Sequence, residues 1–168
     1  MVYLIGYMGV GKTTLAKLLA EQLHLPFYDT DQEIEKKEKR SVSEVFKKDG
    51  ELHFRILETE LLTQFNTKAI VACGGGAPIH NKNMDIINAK GISIYLKASA
   101  NCLATRLKEE KQNRPLIANI PEKELETYIK KELQDRSPFY NLAHHTIEVD
   151  NKNIDEILRE VNSLISPL

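Results

Sequence analysis

Short apolar runs alternate along the chain with longer segments in which hydrophobic residues recur every three to four positions. The runs are too short for helices and are rich in Val, Ile and Tyr, which is typical of strands buried in a parallel sheet. The alternation of the two patterns predicts an α/β fold with a five-stranded parallel sheet flanked by helices. The predicted strands lie at residues 2–5, 26–28, 69–73, 92–96 and 146–149, and the main helices at 13–23, 52–65 and 154–165.

The predicted helix 52–65 places its apolar residues on a single stripe, which we expect to face the core. The stripe consists of Leu52, Ile56, Leu57, Leu61 and Phe65. Ahead of this helix, Ser41 and Glu44 have the spacing of a capping box, which predicts the start of another short helix.

Two polar segments, residues 31–48 and 109–122, interrupt the alternation, and we interpret them as insertions rather than strand–helix units. The second contains two prolines that discourage a continuous helix, so we expect it to form a mobile flap. We find neither internal repeats nor low-complexity tracts. The sequence therefore predicts one domain over residues 1–168.

The charge balance narrows the classes of partner. The 23 Lys and Arg residues against 24 Asp and Glu give a net charge of −1, which argues against a general polyanion binder such as a DNA-coating protein. The spacing of Cys73 and Cys102 fits neither a metal knuckle nor a redox pair. Two unpaired cysteines are compatible with a reducing cytosol, where disulfides are rare. The apolar run at 2–5 is too short to span a bilayer or form a targeting peptide. We therefore expect a cytoplasmic protein without nucleic-acid or membrane partners.

The strongest chemical signal is the stretch from Gly6 to Thr13, GYMGVGKT, which matches the phosphate-binding P-loop pattern between a predicted strand and a predicted helix. In this pattern backbone N–H groups surround phosphate oxygens, and the start of the helix adds its positive end. Lys12 is then expected to reach the β and γ phosphates, and Thr13 to offer its hydroxyl to Mg²⁺. The alternative is a tight glycine turn beside a solvated lysine, but the strand–loop–helix context favours a nucleotide site.

A GTPase would also carry the guanine-reading pattern N-K-x-D. Two stretches come near it, residues 81–85 and 151–155, but both place the aspartate one position too late. We therefore do not expect a GTPase switch.

Two carboxylates, Asp29 and Asp31, follow the second predicted strand at the edge of the sheet where open α/β folds bind ligands. On an extended segment, residues two apart share one face. We therefore expect Asp29 to hold a metal-bound water and Asp31 to reach the hydroxyl that is phosphorylated. The alternative is that Asp31 only caps the helix that follows.

A run of three glycines, Gly74–Gly75–Gly76, follows the third predicted strand. An ordinary turn needs one glycine, so three indicate that the backbone approaches a ligand closely.

Three arginines remain unassigned: Arg55, Arg114 and Arg136. Each could be an ordinary surface residue, and Arg55 could simply pair with Glu58. Together with the glycines, however, they would suit a small anionic substrate, because planar guanidinium groups bind a carboxylate through paired hydrogen bonds.

Taken in order, these motifs resemble those of the shikimate kinase family, small P-loop kinases of the nucleoside-monophosphate kinase-like group with a three-layer α/β fold. The resemblance covers essentially the whole chain, and its combination of Asp-Thr-Asp, Phe-Arg, triple-Gly and Arg-x-Pro-x-Tyr patterns is specific to that family. The matching segments are residues 6–14, 28–36, 54–58, 74–76, 114–116 and 136–140.

The resemblance implies phosphorylation by ATP, with Mg²⁺, of the 3-hydroxyl of shikimate on the route to chorismate and the aromatic amino acids. It also implies a substrate-binding insertion at about 31–62, a lid at about 109–122 and a monomeric enzyme. It makes Lys12, Asp31 and Arg114 the catalytic residues, and Thr13 with Asp29, through water, the metal site. The ATP-binding residues would be Gly9, Val10, Gly11, Lys12, Thr13, Thr14, Arg106 and Arg114. The shikimate-binding residues would be Asp31, Arg55, Gly75 and Arg136.

In this assignment Arg106 packs against adenine, and Arg114 closes over the ATP phosphates with the lid. The lid departs from the family in carrying Glu109 and Glu110 before Lys111. Whether Asp31 accepts the proton or only aligns the hydroxyl stays open at this point. Two other functions also stay open: another small-metabolite kinase, such as a gluconate kinase, and a nucleotide-binding module without catalysis.

Overall fold

The computed structural model describes residues 1–109 and 116–165. Strands and helices alternate along the chain, as the hydrophobic pattern predicts. The strands are β1 (Val2–Ile5), β2 (Phe27–Asp29), β3 (Ile70–Ala72), β4 (Ile92–Lys97) and β5 (His145–Glu148). The helices are α1 (Lys12–Leu23), α2 (Thr30–Glu38), α3 (Val42–Gln64), α4 (Asn83–Lys90), α5 (Ala100–Leu107), α6 (Glu122–Tyr140) and α7 (Ile154–Ile165).

The five strands form one parallel sheet in the order β2-β3-β1-β4-β5. β1 lies in the centre, with Leu4 opposite Ala72 of β3 on one side and opposite Ile94 of β4 on the other. The strand order reverses here, since the chain passes from β1 to β2 on one side and reaches β4 on the other. Loops that leave the carboxyl ends of β1 and β3 therefore meet at the crevice where α/β sheets bind ligands.

Helices cover both faces of the sheet, which makes three layers. Alternate residues of the central strand enter different cores: Leu4 packs with helices α1, α5 and α7, while Tyr3 and Ile5 pack with α3 and α4. Such two-sided burial explains why the strands are almost continuously apolar. The predicted fold class is thus confirmed. Within the described residues no helix has both the length and the apolar character needed to cross a bilayer.

The segment 31–48, predicted as a polar insertion, is helical. It contains most of α2 and the first part of α3, and Ser41 and Glu44 form the capping box that their spacing predicts. A small apolar cluster, separate from the two main cores, holds these helices together: Ile34, Val45, Phe54 and Leu57. The capping box predicted the start of α3, whereas the composition of residues 31–38 gave little sign of α2, which buries only Thr30 and Ile34.

The apolar stripe predicted for residues 52–65 is partly wrong. α3 begins at Val42 and bends at Gly50, whose φ of 85° lies outside the helical region. Leu52 is 74% exposed and Ile56 is 45% exposed, so they do not face the core. The buried face of the second half instead includes a charged pair, Arg55 and Glu58. Hydrophobic periodicity places such charges on the solvent side, so the prediction fails for Leu52 and Ile56 but holds for Leu57, which is buried.

Candidate active site

The P-loop joins β1 to α1 and forms the wall of a cavity of about 250 Å³. Gly9 and Gly11 have φ values of 78° and 100°, a region that favours glycine, and they let the loop turn its backbone toward the cavity. Gly11 is the N-cap of α1 and has no side chain that could occupy the first N–H groups. The helix start can therefore bind an anion, as the motif predicts. The residues of the P-loop and of the start of α1 that line the cavity are Met8, Gly9, Gly11, Lys12, Thr13 and Thr14.

Lys12 is buried, and its Nζ donates to the carbonyls of Gly6 at 2.8 Å and Tyr7 at 2.9 Å. These bonds hold the ammonium group inside the loop that would receive the phosphates. Val10 and Arg106 do not line this cavity. The Val10 side chain packs in the core, and its carbonyl accepts a hydrogen bond from Arg106 at 3.1 Å.

The hydroxyl of Thr13 donates to Oδ2 of Asp29 across 2.7 Å, and both residues line the P-loop cavity. A hydroxyl and a carboxylate are hard oxygen ligands, which Mg²⁺ prefers. Mg²⁺ also keeps several waters and usually takes one or two protein groups together with substrate phosphates. The two side chains therefore fit a magnesium ion bound beside a nucleotide.

The prediction that Asp29 and Asp31 share one extended segment is wrong. β2 ends at Asp29, and Asp31 lies in the first turn of α2. Oδ1 of Asp29 accepts the backbone N–H groups of Asp31 and Gln32, so Asp29, and not Asp31, caps the helix. Both side chains nevertheless line the P-loop cavity, because the helix begins at the edge of the sheet. Asp31 is thereby left without a capping role.

A second cavity, of about 180 Å³, adjoins the first on the side of α2 and α3. Its wall contains the four residues predicted to bind the substrate: Asp31, Arg55, Gly75 and Arg136. Four residues border both cavities: Met8, Asp31, Gly74 and Gly75. Asp31 thus lies between the phosphate-binding loop and the two arginines. Removal from water, together with the charge of Asp29, raises the pKa of Asp31 to about 6, while Lys12 and Arg55 oppose this rise.

Arg55 extends from α3 into the second cavity and is held by two carboxylates. Its Nη1 donates to Oε2 of Glu58 at 2.7 Å, and its Nη2 donates to Oε1 of Glu51 at 2.8 Å. Glu58 is 0% exposed, and its other oxygen, Oε1, has no hydrogen-bond partner within residues 1–109 and 116–165. Burial raises the pKa of Glu58 to about 7 against the opposing charge of Arg55. The Arg55–Glu58 pair suggested by the sequence spacing therefore exists, but as a buried part of the site.

Arg136 lines the same cavity from α6, whereas Arg55 lines it from α3. It pairs with Glu132 one turn earlier in its helix, and its Nη1 lies 3.5 Å from the carbonyl of Gly75. The hydroxyl of Tyr140 donates to the same carbonyl at 2.6 Å. The two arginines give the cavity a positive wall, and their planar guanidinium groups can bind a carboxylate through paired hydrogen bonds.

The three glycines are required for space rather than for unusual backbone angles. A Cβ atom on Gly76 would lie 2.4–2.6 Å from the guanidinium group of Arg55, and one on Gly74 would lie 2.4 Å from Oδ1 of Asp31. A Cβ on Gly75 would lie 3.2 Å from the backbone nitrogen of Met8. The run therefore lets the loop after β3 pack against the site residues and the P-loop.

Two residues that line the cavities, Met8 and Leu116, were not predicted to belong to the site. Met8 borders both cavities although its sequence position suggests only local packing, and Leu116 lines the second cavity. Leu116 belongs to the predicted lid at 109–122, whereas Arg114 lies outside the described residues. The buried position of Glu58 could have been inferred from its i+3 spacing to Arg55, once Arg55 was assigned to the site.

The chain matches known proteins along nearly its whole length. The sequence model described as "Shikimate kinase" matches residues 8–166 of the chain. A shikimate kinase from Flavobacterium johnsoniae is 42% identical, and the alignment covers 98% of each chain.

Solved structures agree as well. A shikimate kinase from Bacteroides thetaiotaomicron is 34% identical with a TM-score of 0.89, covering 98% of this chain and 97% of that one. A shikimate kinase from Acinetobacter baumannii in complex with shikimate is 33% identical, also with a TM-score of 0.89, covering 99% of this chain and 92% of that one. By sequence and by fold, the chain belongs to the shikimate kinase family.

Proposed function

We propose that this protein transfers the γ-phosphoryl group of ATP to the 3-hydroxyl of shikimate, forming shikimate 3-phosphate and ADP. One observation carries the proposal: Asp31 borders both the P-loop cavity and the cavity that contains Arg55 and Arg136. A hydroxyl held beside Asp31 would therefore lie between a bound carboxylate and a bound triphosphate. The shikimate named in the Acinetobacter baumannii complex carries both a carboxylate and ring hydroxyls, which fits this arrangement.

The carboxylate of shikimate would be bound by Arg55 and Arg136, with Gly75 forming part of the same cavity wall. Both arginines are buried, so a carboxylate bound there is poorly screened by water. Two guanidinium groups on different helices also fix the direction in which the ring points. The substrate is thereby oriented toward Asp31, and such positioning is a large part of catalysis in phosphoryl transfer.

Lys12 and the N–H groups at the start of α1 would hold the phosphates of ATP. Thr13, and Asp29 through water, would hold Mg²⁺, which would supply positive charge beside the β and γ phosphates. The other ATP-binding assignments, Arg106 against adenine and Arg114 in the lid, remain predictions from the family resemblance.

In the reaction, the substrate oxygen forms a bond to the γ phosphorus while the bond to the bridging oxygen of ADP breaks. Asp31 first accepts the hydrogen bond that aligns the oxygen, and in a loose transition state the hydroxyl proton leaves late and passes to the same carboxylate, which releases it to water after the product leaves. Lys12 stabilises the charge on the phosphoryl oxygens. The cytoplasmic location and the monomeric state also remain predictions.

The test is ADP release measured with ATP and Mg²⁺ in the presence of shikimate, gluconate or a nucleoside monophosphate. We expect shikimate alone to stimulate release, and Lys12→Met to abolish the stimulation without unfolding the protein. Stimulation by gluconate instead would indicate another small-metabolite kinase. ATP binding without stimulation by any acceptor would indicate a nucleotide-binding module and would contradict the proposal.

A further inference from the structure

Tyr7, the second residue of the P-loop motif, is buried directly behind the second cavity. Its side chain is 1% exposed and does not line either cavity of the site. The ring instead lies against the guanidinium group of Arg136, whose Cζ is 5.1 Å from the ring centroid. The P-loop thus supplies an aromatic surface for an arginine of α6.

The ring contact complements the polar contacts of Arg136. Glu132 and the carbonyl of Gly75 accept N–H groups of the guanidinium. These contacts lie at the edges of the guanidinium plane and leave its face to the ring. An aromatic ring attracts the cation through its electron-rich face, and this attraction is strongest where water is excluded. Tyr7 and Arg136 are both buried, so this contact is of the stronger kind.

The hydroxyl of Tyr7 contributes no visible bond to this arrangement. Its oxygen is buried and has no hydrogen-bond partner among residues 1–109 and 116–165. Burial raises the pKa of Tyr7 well above its ordinary range, so the phenol is neutral. A neutral hydroxyl without a partner cannot orient Arg136, whereas the ring face can.

The position of Tyr7 also depends on the glycine loop. A Cβ on Gly75 would lie 3.7 Å from the carbonyl carbon of Tyr7 and 3.2 Å from the nitrogen of Met8, so the two loops are in close contact. On the far side, Tyr140 anchors Gly75 by its 2.6 Å hydrogen bond. The backbone of Tyr7 therefore packs against a loop that Tyr140 anchors, and this contact supports the ring as a surface for Arg136.

We propose that Tyr7 is a positioning residue for substrate binding: its ring holds the guanidinium plane of Arg136 in the orientation that binds the carboxylate of shikimate. The inference rests on the proposed function, since it assigns that carboxylate to Arg136. It predicts that Tyr7 acts on shikimate affinity, although it belongs to the sequence motif that binds the nucleotide.

The test compares Tyr7→Phe with Tyr7→Leu in the full-length protein. We expect Tyr7→Phe to keep the KM for shikimate within about twofold, because the ring face remains. Tyr7→Leu is expected to raise that KM about tenfold while the KM for ATP and kcat change less than about twofold. If Tyr7→Leu fails to fold, Tyr7→Met fills more of the same space without a ring and is measured in its place.

The Arg136→Met background is the matched control. Without the guanidinium the ring has nothing to orient, so adding Tyr7→Leu should change the KM for shikimate no further. Three results would overturn the inference: an unchanged KM for shikimate in Tyr7→Leu, an equal rise in the KM for ATP, or a loss in Tyr7→Phe as large as in Tyr7→Leu. Calorimetric titration with shikimate measures the same differences without turnover. A wild-type protein that binds shikimate but does not phosphorylate it would contradict the proposed function alone.

Discussion

Thr13 and Asp29 are joined by a hydrogen bond of 2.7 Å that connects the first turn of α1 to the end of β2. Asp29 uses its other oxygen to cap α2. One carboxylate therefore serves the proposed magnesium site and also fixes the start of the helix that carries Asp31. The two roles can be separated, because an asparagine caps a helix as well as an aspartate but lacks its charge.

We expect Asp29→Asn to keep the fold and to lower activity at limiting Mg²⁺ by about 10- to 100-fold, since an outer ligand that orients metal-bound water is weakened. Activity should recover in part at high Mg²⁺. Asp29→Ala should also lose the cap, which costs about 1 kcal/mol in the free energy of unfolding. Magnesium titrations of activity, together with thermal unfolding, distinguish the two variants. An Asp29→Asn enzyme with the Mg²⁺ dependence of the wild type would contradict this role.

The features that the sequence alone could locate are local in the chain. The P-loop is recognisable because all its groups lie within Gly6–Thr13, and the parallel five-stranded sheet follows from the alternation of strands and helices, whereas the order of its strands was not predicted. Asp31 could be proposed as a site residue for a different reason. A residue just beyond β2 lies at the carboxyl edge of the sheet, where open α/β folds bind ligands. Its helical backbone, which was predicted incorrectly, does not alter that position.

What the sequence could not reveal depends on contacts between distant segments. The ring of Tyr7 meets Arg136 only after α6 has packed beside the P-loop, and no periodicity indicates this. Leu52 and Ile56 are exposed although they were predicted to be buried. Hydrophobic periodicity assigns apolar residues to the core and cannot anticipate that an ion pair is buried in their place. Arg55 and Glu58 occupy the buried face, where they pair with each other and line the second cavity.

The Arg55–Glu58 pair is expected to be strongly interdependent. Arg55→Met alone leaves Glu58 buried without its partner, which should lower the free energy of unfolding by about 3–5 kcal/mol at pH 8. The double variant Arg55→Met/Glu58→Met removes both charges and should recover most of that loss. Urea unfolding of both variants measures the difference. Equal losses in Arg55→Met and the double variant would show that an unpaired Glu58 does not cause the loss. Neither variant is expected to bind shikimate at wild-type affinity.

Gly76→Ala is expected to impair substrate binding without disturbing the nucleotide site. The backbone at Gly76 has a φ of −91°, which alanine adopts easily, but the new Cβ would lie 2.4–2.6 Å from the Arg55 guanidinium. That group would have to move, and the KM for shikimate should rise by about tenfold or more, while the KM for ATP stays within about twofold. Steady-state kinetics with each substrate varied in turn provides the check. A rise in the KM for ATP alone would contradict the assignment of this loop to the substrate side.

Stability should depend on pH through Glu58. Burial raises its pKa from 4.5 to about 7, so the folded protein binds this proton more tightly than the unfolded chain does. The resulting stabilisation is complete below about pH 4.5 and is lost as the pH rises through about 7. Glu58→Gln cannot titrate, so the stability of the wild type relative to this variant should fall by about 2 kcal/mol between pH 5 and pH 8.

Denaturant unfolding of both proteins at several pH values measures this difference. Glu60→Gln is the matched control on the same helix, because Glu60 pairs with Lys37 at the surface and both side chains are about half exposed. Its stability relative to the wild type should stay nearly constant over the same range, since an exposed pair contributes little. A Glu58→Gln difference that is equally constant, or that grows in favour of the wild type with rising pH, would mean that Arg55 outweighs burial and keeps Glu58 ionised.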